Sequence, residues 1–332
     1  MLGSSREPLA EGYDLAMLDL DGVVYIGGES LPGAAEHLAA ARTVGTRLAF
    51  ITNNASRPAA QVAAHLRALG IEAEVSDVVT SAQAAARVLV DRFGPGAAVV
   101  SLGAEGLSEA LEAVGLVPVS ADDEAVAIAS GYGPQVLWAD LMRAAVRIRD
   151  GLPWVASNTD ATIPTAFGVA PGHGLQVDML RRFSGVDPVV AGKPERPLLD
   201  ETVRRTGARR PLMVGDRLDT DIEGARRIGL DSLLVLTGVT GLPDLIAAPA
   251  SMRPTYIAPD LGGLLTAHPV PELAGDTWRL GGWAAQVRDD ELQVSGEGDS
   301  ADWWRVVAAA SWTHLDQVGE PVRVSEVEVP GR

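Results

Sequence analysis

The chain has 332 residues, enough for one large or two medium domains, and 47% of them are hydrophobic, as in an ordinary globular protein. Its formal net charge of −17 disfavours nucleic acid and anionic membrane surfaces as partners. The absence of cysteine excludes disulfides, thiolate catalysis and cysteine zinc sites. With no apolar signal region at the start and no run approaching the roughly 18 apolar residues of a membrane span, the expectation is a cytoplasmic protein.

Short apolar runs alternate with helical patterns, which predicts an α/β fold with a doubly wound, Rossmann-like parallel sheet. Leu15–Leu20 reads as the first strand, PGAAEHLAAARTVG as a helix, RLAFITNN as a second strand, and SRPAAQVAAHLRALG as a helix with Ser56 as N-cap and Pro58 in its first turn. VVTSAQAAARVLVDRFG reads as a helix throughout. From about Ala97 a fresh series begins. AAVVSLG, EAVAIASGY and LPWVASN read as strands, interleaved with helices in GLSEALEAVG and LWADLMRAAVRIRDG. The main pattern is expected to resume with PVVAGKP, then a helix in PLLDETVRRTG, the strand PLMVGD, a helix in DIEGARRIG and the strand SLLVLTG.

Residues 266–332 differ in character, holding five of the seven tryptophans. WAAQVRDDELQVSG reads as a hairpin turning at Asp289-Asp290, ADWWRVVAAASWTHL has helical periodicity, and PVRVSEVEV alternates like a final strand. The expected division is a core of residues 13–82 and 186–265, an inserted α/β domain at 83–185, and a small α+β appendage at 268–332.

In doubly wound sheets, ligands bind beyond the carboxyl ends of the strands. Four segments place polar residues at such ends: LDLDG with Asp19 and Asp21, FITNN from Thr52 to Asn54, AGKP with Lys193, and VGDRLDTD with Asp216, Asp219 and Asp221. Converging carboxylates repel one another, and a divalent cation removes the conflict. Mg²⁺ suits hard oxygen ligands of this kind. Lys193 offers a fixed positive charge for a phosphate oxygen, and Thr52 and Asn53 offer uncharged donors. The implied chemistry is phosphoryl transfer, in which positioning and charge neutralisation dominate. Taken singly, each motif has an ordinary reading as a turn, a cap or an acidic helix start. Four in this order, each at a predicted strand end, do not.

This set resembles the haloacid dehalogenase-like hydrolase superfamily over roughly residues 13–265. Its motifs stand here as Asp19-Leu-Asp21-Gly-Val-Val, Thr52, Lys193 and Gly215-Asp216-Arg-Leu-Asp-Thr-Asp221. The resemblance implies that Asp19 is a nucleophile forming an aspartyl-phosphate and that Asp21 is the general acid and base. It implies that Thr52 and Lys193 hold phosphoryl oxygens, with Gly22, Asn53 and Asn54 also lining the substrate. Mg²⁺ would be bound by Asp19, the Asp21 carbonyl and Asp216, and Asp221 would support it or orient Lys193. Family members that cleave carbon–halogen bonds lack the second aspartate, so Asp21 implies a phosphatase.

An insertion between the Thr52 and Lys193 motifs marks the larger, α/β type of cap. TNNASR and Asn158-Thr-Asp160-Ala-Thr-Ile-Pro164, followed by the glycines and prolines of 168–174, look like the NagD or para-nitrophenylphosphatase branch. That branch includes phosphoglycolate and glycerol-3-phosphate phosphatases. The segment 164–174 is expected to be a rigid loop, with Asn158, Asp160 and His173 as candidates to meet the leaving group. Arg57 stands equally as a substrate or cap contact or as a structural salt bridge. An acidic cap residue suits a hydroxylated leaving group, so the substrate implied is a small phosphorylated metabolite, glycerol-3-phosphate before phosphoglycolate, pyridoxal phosphate or a nucleotide. The tail resembles the degenerate acetyltransferase-like extension of actinobacterial glycerol-3-phosphate phosphatases. It lacks a Gly-rich pyrophosphate loop, so reinforcement of the fold is expected ahead of a regulatory or partner-binding role. A homodimer is left open.

Overall fold

The computed structural model describes residues 2–165, 167–325 and 327–330. Two compact units divide the chain, one made of Met1–Leu48 with Ala208–Arg332 and the other of Ala49–Gly207.

In the first unit four parallel strands lie in the order Tyr256–Ala258, Asp231–Val235, Pro211–Gly215, Leu15–Leu18. The last three are almost entirely buried and read as continuous apolar runs, as parallel strands covered on both faces must. Leu18 is in register with Val214, and the ladder reaches one residue further through the Asp19 amide, which donates to the Val214 carbonyl at 2.9 Å. The adjacent strands Leu15–Leu18 and Pro211–Gly215 are thus followed at once by Asp19 and Asp216.

The tail belongs to this unit. Strands Glu272–Ala274, Thr277–Leu280, Trp283–Arg288 and Glu291–Gly296 form an antiparallel sheet, followed by the helix Ser300–Val318. The expected turn is present, with φ of 52° at Asp289 and 63° at Asp290, the left-handed pair that a two-residue hairpin needs. Every residue from Trp303 to Trp312 is buried. Apart from Arg305 and Ser311 this stretch is apolar, and a helix so nearly apolar all round must be covered on all sides. Here Trp303, Val306, Val307 and Trp312 share one core with Trp278, Ala285 and Leu292 of the small sheet and with Ile222, Leu234, Leu245 and Ile257 of the parallel-sheet layer. The expected final strand is not formed among the described residues, where Arg323 makes a single bridge to Glu291.

In the second unit Arg47–Thr52, which enters it from Ala49, pairs in parallel with Val78–Thr80. A five-stranded parallel sheet follows, in the order Val189–Val190, Trp154–Ala156, Ala127–Ser130, Ala98–Leu102, Val117–Val119. The α/β class read from the sequence is therefore that of the structure. Four local expectations change. VVTSAQ begins as the strand Val78–Thr80, and the helix starts at Ser81 because Thr80 and Gln83 form a reciprocal capping box. Ser56 caps nothing: Pro58 disfavours helical backbone in the residue before it, and the helix begins at Ala59. PVVAGKP contributes Val189–Val190 to the edge of the five-stranded sheet instead of resuming the first. The segment 164–174 is not a loop but a hairpin of Thr162–Thr165 with Gly168–Pro171, leading into the helix His173–Ser184. Among the described residues no helix is long and apolar enough to cross a membrane.

Candidate active site

The first unit gathers acids. Asp19, Asp216 and Asp221 each present a carboxylate oxygen within 4.8 Å of the others, and Asp216 and Asp221 are fully buried. Asp221 rides on the wide helical turn Leu218–Ile222, and its carboxylate accepts the Arg217 amide at 3.1 Å. Asp216 accepts the Val239 amide at 2.7 Å. Three carboxylates so close cannot all stay ionised without a compensating charge. Their oxygens are the hard donors that Mg²⁺ selects. The donor set fits that ion.

Glycine makes the gathering sterically feasible. Gly22 has φ of +85°, and a Cβ there would lie 2.4 Å from Asp216 Oδ2. Its carbonyl accepts the Thr237 hydroxyl at 2.6 Å. Gly22, expected to line the substrate, is thus one of the residues that let Asp216 approach. Asp21 has an exposed side chain and a backbone bridge to Tyr25, and its carboxylate is outside the three-acid cluster.

The second unit gathers the remaining candidates. Thr52 ends its strand buried, and its hydroxyl oxygen accepts the Asn54 amide at 3.1 Å. Asn54 turns its own Oδ1 to the Ser56 amide and hydroxyl, at 2.8 and 2.7 Å. Lys193 is 2% exposed. Asn53 Oδ1 accepts the Lys193 amide at 2.8 Å, and Asn53 Nδ2 donates to the Lys193 carbonyl at 3.0 Å and to Asp160 Oδ1 at 3.1 Å. Both hydrogens of that amide are committed. The expectation that the Asn53 side chain donates to a phosphate gives way to a structural role. Asn158 is committed in the same manner, with Nδ2 2.7 Å from the Asn53 carbonyl and Oδ1 accepting the Asp160 amide at 3.1 Å. Asp160 is half-buried. Arg57 forms no ion pair among the described residues.

A family model described as haloacid dehalogenase-like hydrolase matches residues 16–117, and one described as HAD-hydrolase-like matches residues 190–264. A D-glycerol 3-phosphate phosphatase of Mycobacterium tuberculosis is 43% identical over 314 residues, 92% of this chain and 87% of its own length. The chain belongs to the haloacid dehalogenase-like hydrolases. An acid sugar phosphatase of Staphylococcus saprophyticus is 35% identical over 77% of this chain and 98% of its own. The crystal structure of a glycerol phosphate phosphatase from M. tuberculosis in complex with magnesium superposes with a TM-score of 0.87 at 42% identity, covering 97% of this chain and 96% of that one. A 4-nitrophenylphosphatase from Thermotoga maritima superposes with a TM-score of 0.72 at 30% identity, covering 77% and 98%.

For this hydrolase the sequence reading missed the loop after the strand Asp231–Val235. A Cβ on Gly238 would lie 2.0 Å from Asp216 Oδ2, and the next residue supplies the amide that holds the same oxygen. The available signal was LTGVTG, small and polar residues directly after a strand of the parallel sheet.

Proposed function

We propose that this hydrolase is a Mg²⁺-dependent phosphatase of small phosphomonoesters, with glycerol-3-phosphate as its substrate. The observation that carries the reading is the cluster of Asp19, Asp216 and Asp221 directly beyond two adjacent parallel strands. The ion would be held by Asp19, the main-chain carbonyl of Asp21 and Asp216, with Asp221 behind them, and it supplies charge neutralisation for the phosphate. A carboxylate oxygen of Asp19 attacks phosphorus while the ester P–O bond breaks, giving an aspartyl-phosphate. Asp21 gives its proton to the departing alkoxide. It then takes a proton from the water that attacks the aspartyl-phosphate, which frees inorganic phosphate and restores Asp19. Thr52 donates its hydroxyl, and Lys193 its ammonium, to phosphoryl oxygens.

The substrate assignment rests on the 43%-identical relative, whose activity is on D-glycerol 3-phosphate. In the same reading residues 83–185 form the cap, and Asp160 and Arg57 meet the leaving group and its phosphate. A cytoplasmic location suits a chain without cysteine. Phosphate release from glycerol-3-phosphate, phosphoglycolate, pyridoxal phosphate and nucleoside monophosphates tests the assignment. Glycerol-3-phosphate is expected to give the highest kcat/KM, and Asp19→Asn to abolish turnover. Full activity of Asp19→Asn would refute the mechanism.

A further inference from the structure

The amide web around Asn53 is anchored on a residue with no part in the chemistry. His173 opens the helix His173–Ser184 and is 2% exposed, with Nδ1 2.8 Å from the Asn158 carbonyl oxygen. A carbonyl only accepts, so Nδ1 carries the proton and Nε2 a lone pair. Nε2 is buried without a hydrogen-bond partner among the described residues, so a second proton there would find no acceptor. The ring is therefore a neutral donor, and burial pushes its pKa down to about 4.

The first turn of the same helix grips the preceding segment again. The Gly174 amide donates to the Asp160 carbonyl at 2.8 Å, and a Cβ on Gly174 would lie 2.2 Å from the Thr159 carbonyl oxygen. The segment 158–160 is thus clamped at both ends, by His173 at Asn158 and by Gly174 at Asp160. From Asn158 the web runs to the Asn53 carbonyl, and from the Asn53 amide to Asp160 and to both main-chain groups of Lys193.

We propose that His173 is a positioning residue, holding the Asn158 carbonyl so that the Asn53 amide fixes the places of Asp160 and Lys193. The proposal rests on the phosphatase reading for the roles of those two side chains, but not for the hydrogen bonds.

Three variants separate donor position from bulk. His173→Asn puts an amide N–H near the position of Nδ1, His173→Gln puts one near that of Nε2, and His173→Leu has none. His173→Asn is expected to stay near wild-type kcat. The Gln and Leu variants are expected to lose on the order of tenfold to a hundredfold in kcat, the scale of a catalytic group misplaced by about 1 Å, with a smaller change in KM. Amide hydrogen exchange at Lys193 and Asp160 gives a readout independent of turnover. Both amides are expected to exchange at least about tenfold faster in His173→Gln than in wild type, and the Asn variant to restore protection, as a lost hydrogen bond of about 1.4 kcal/mol implies. If His173→Leu does not fold, the Asn and Gln pair carries the comparison. Equal activity and equal exchange in those two would overturn the proposal. Absence of phosphate release by the wild type would overturn the phosphatase reading instead, and the exchange comparison would still decide the positioning.

Discussion

Substituting Gly238→Ala adds one methyl group next to the acid cluster and nothing else. The backbone of Gly238 lies outside the left-handed region, so the substitution brings no conformational strain. Its Cβ would sit 2.0 Å from Asp216 Oδ2 and 2.5 Å from Cγ, where real Cβ atoms essentially never approach closer than 3.0 Å. Either the carboxylate or the loop must therefore retreat by about 1 Å, and overpacking of this kind costs about 1–3 kcal/mol. Retreat also breaks the 2.7 Å bond from the Val239 amide to the same oxygen. A hydrogen bond to a charged group contributes about 1.5–3 kcal/mol. A ligand displaced by about 1 Å is expected to lower kcat on the order of a hundredfold and to raise the Mg²⁺ concentration for half-maximal activity at least about tenfold. The assay is phosphate release against Mg²⁺ concentration, with Gly28→Ala as control, since a Cβ there meets nothing within 4 Å. Wild-type Mg²⁺ dependence in Gly238→Ala would refute the claim that Asp216 sits packed against this loop as a metal ligand.

Acid stability is a second test. Burial lowers both His173 and His268 from the usual 6.5 to about 4. Between those values the unfolded chain binds protons that the folded chain refuses, so the stability is whole above about pH 6.5 and falls as the pH drops toward 4, by about 3 kcal/mol for each histidine. A thermal midpoint unchanged between pH 7 and pH 4.5 would contradict it. Deleting residues 300–330 is expected to abolish soluble folding or lower the melting temperature by more than about 10 °C, because the helix Ser300–Val318 covers Leu234 and Ile257. A truncated chain with unchanged melting and kinetics would sink that reading. Arg253 forms a paired 2.7 Å contact with Asp316 and lies over Trp312 at 5.3 Å, so Asp316→Ala leaves a buried guanidinium without its carboxylate. It is expected to lower stability by about 1–3 kcal/mol without altering kcat, which denaturation and turnover measurements together would check.

The acid cluster was legible because its members follow buried parallel strands, and such strands are continuous apolar runs that stop abruptly at charge. Asp19 and Asp216 announce themselves in this way, and Asp221 follows at a fixed distance on the helix after the same strand. What surrounds the cluster was not legible. Gly238 and Val239 reach Asp216 by a close approach between segments 22 residues apart, and local patterns carry no trace of it. Asn53 looked like a donor to phosphate because it stands at the carboxyl end of a strand, where ligands bind in such sheets. Its saturation depends on Lys193 and Asp160, more than a hundred residues away. The hairpin Thr162–Thr165 with Gly168–Pro171 was hidden by its own glycines and prolines, which read as loop, while Val189–Val190 is too short to declare its sheet. His173 stood only as one candidate to meet the leaving group. It is buried as the first residue of the helix His173–Ser184, a start that the glycines and prolines around it conceal.

The most direct test of the central claim is a Mg²⁺ titration of phosphate release from glycerol-3-phosphate, with wild type and Asp216→Asn measured side by side after chelation. Wild type is expected to be inactive in EDTA and restored by Mg²⁺, and Asp216→Asn to stay inactive or to need at least about a hundredfold more metal. Turnover that persists in EDTA, or an Asp216→Asn enzyme saturating at the wild-type Mg²⁺ concentration, would contradict the account.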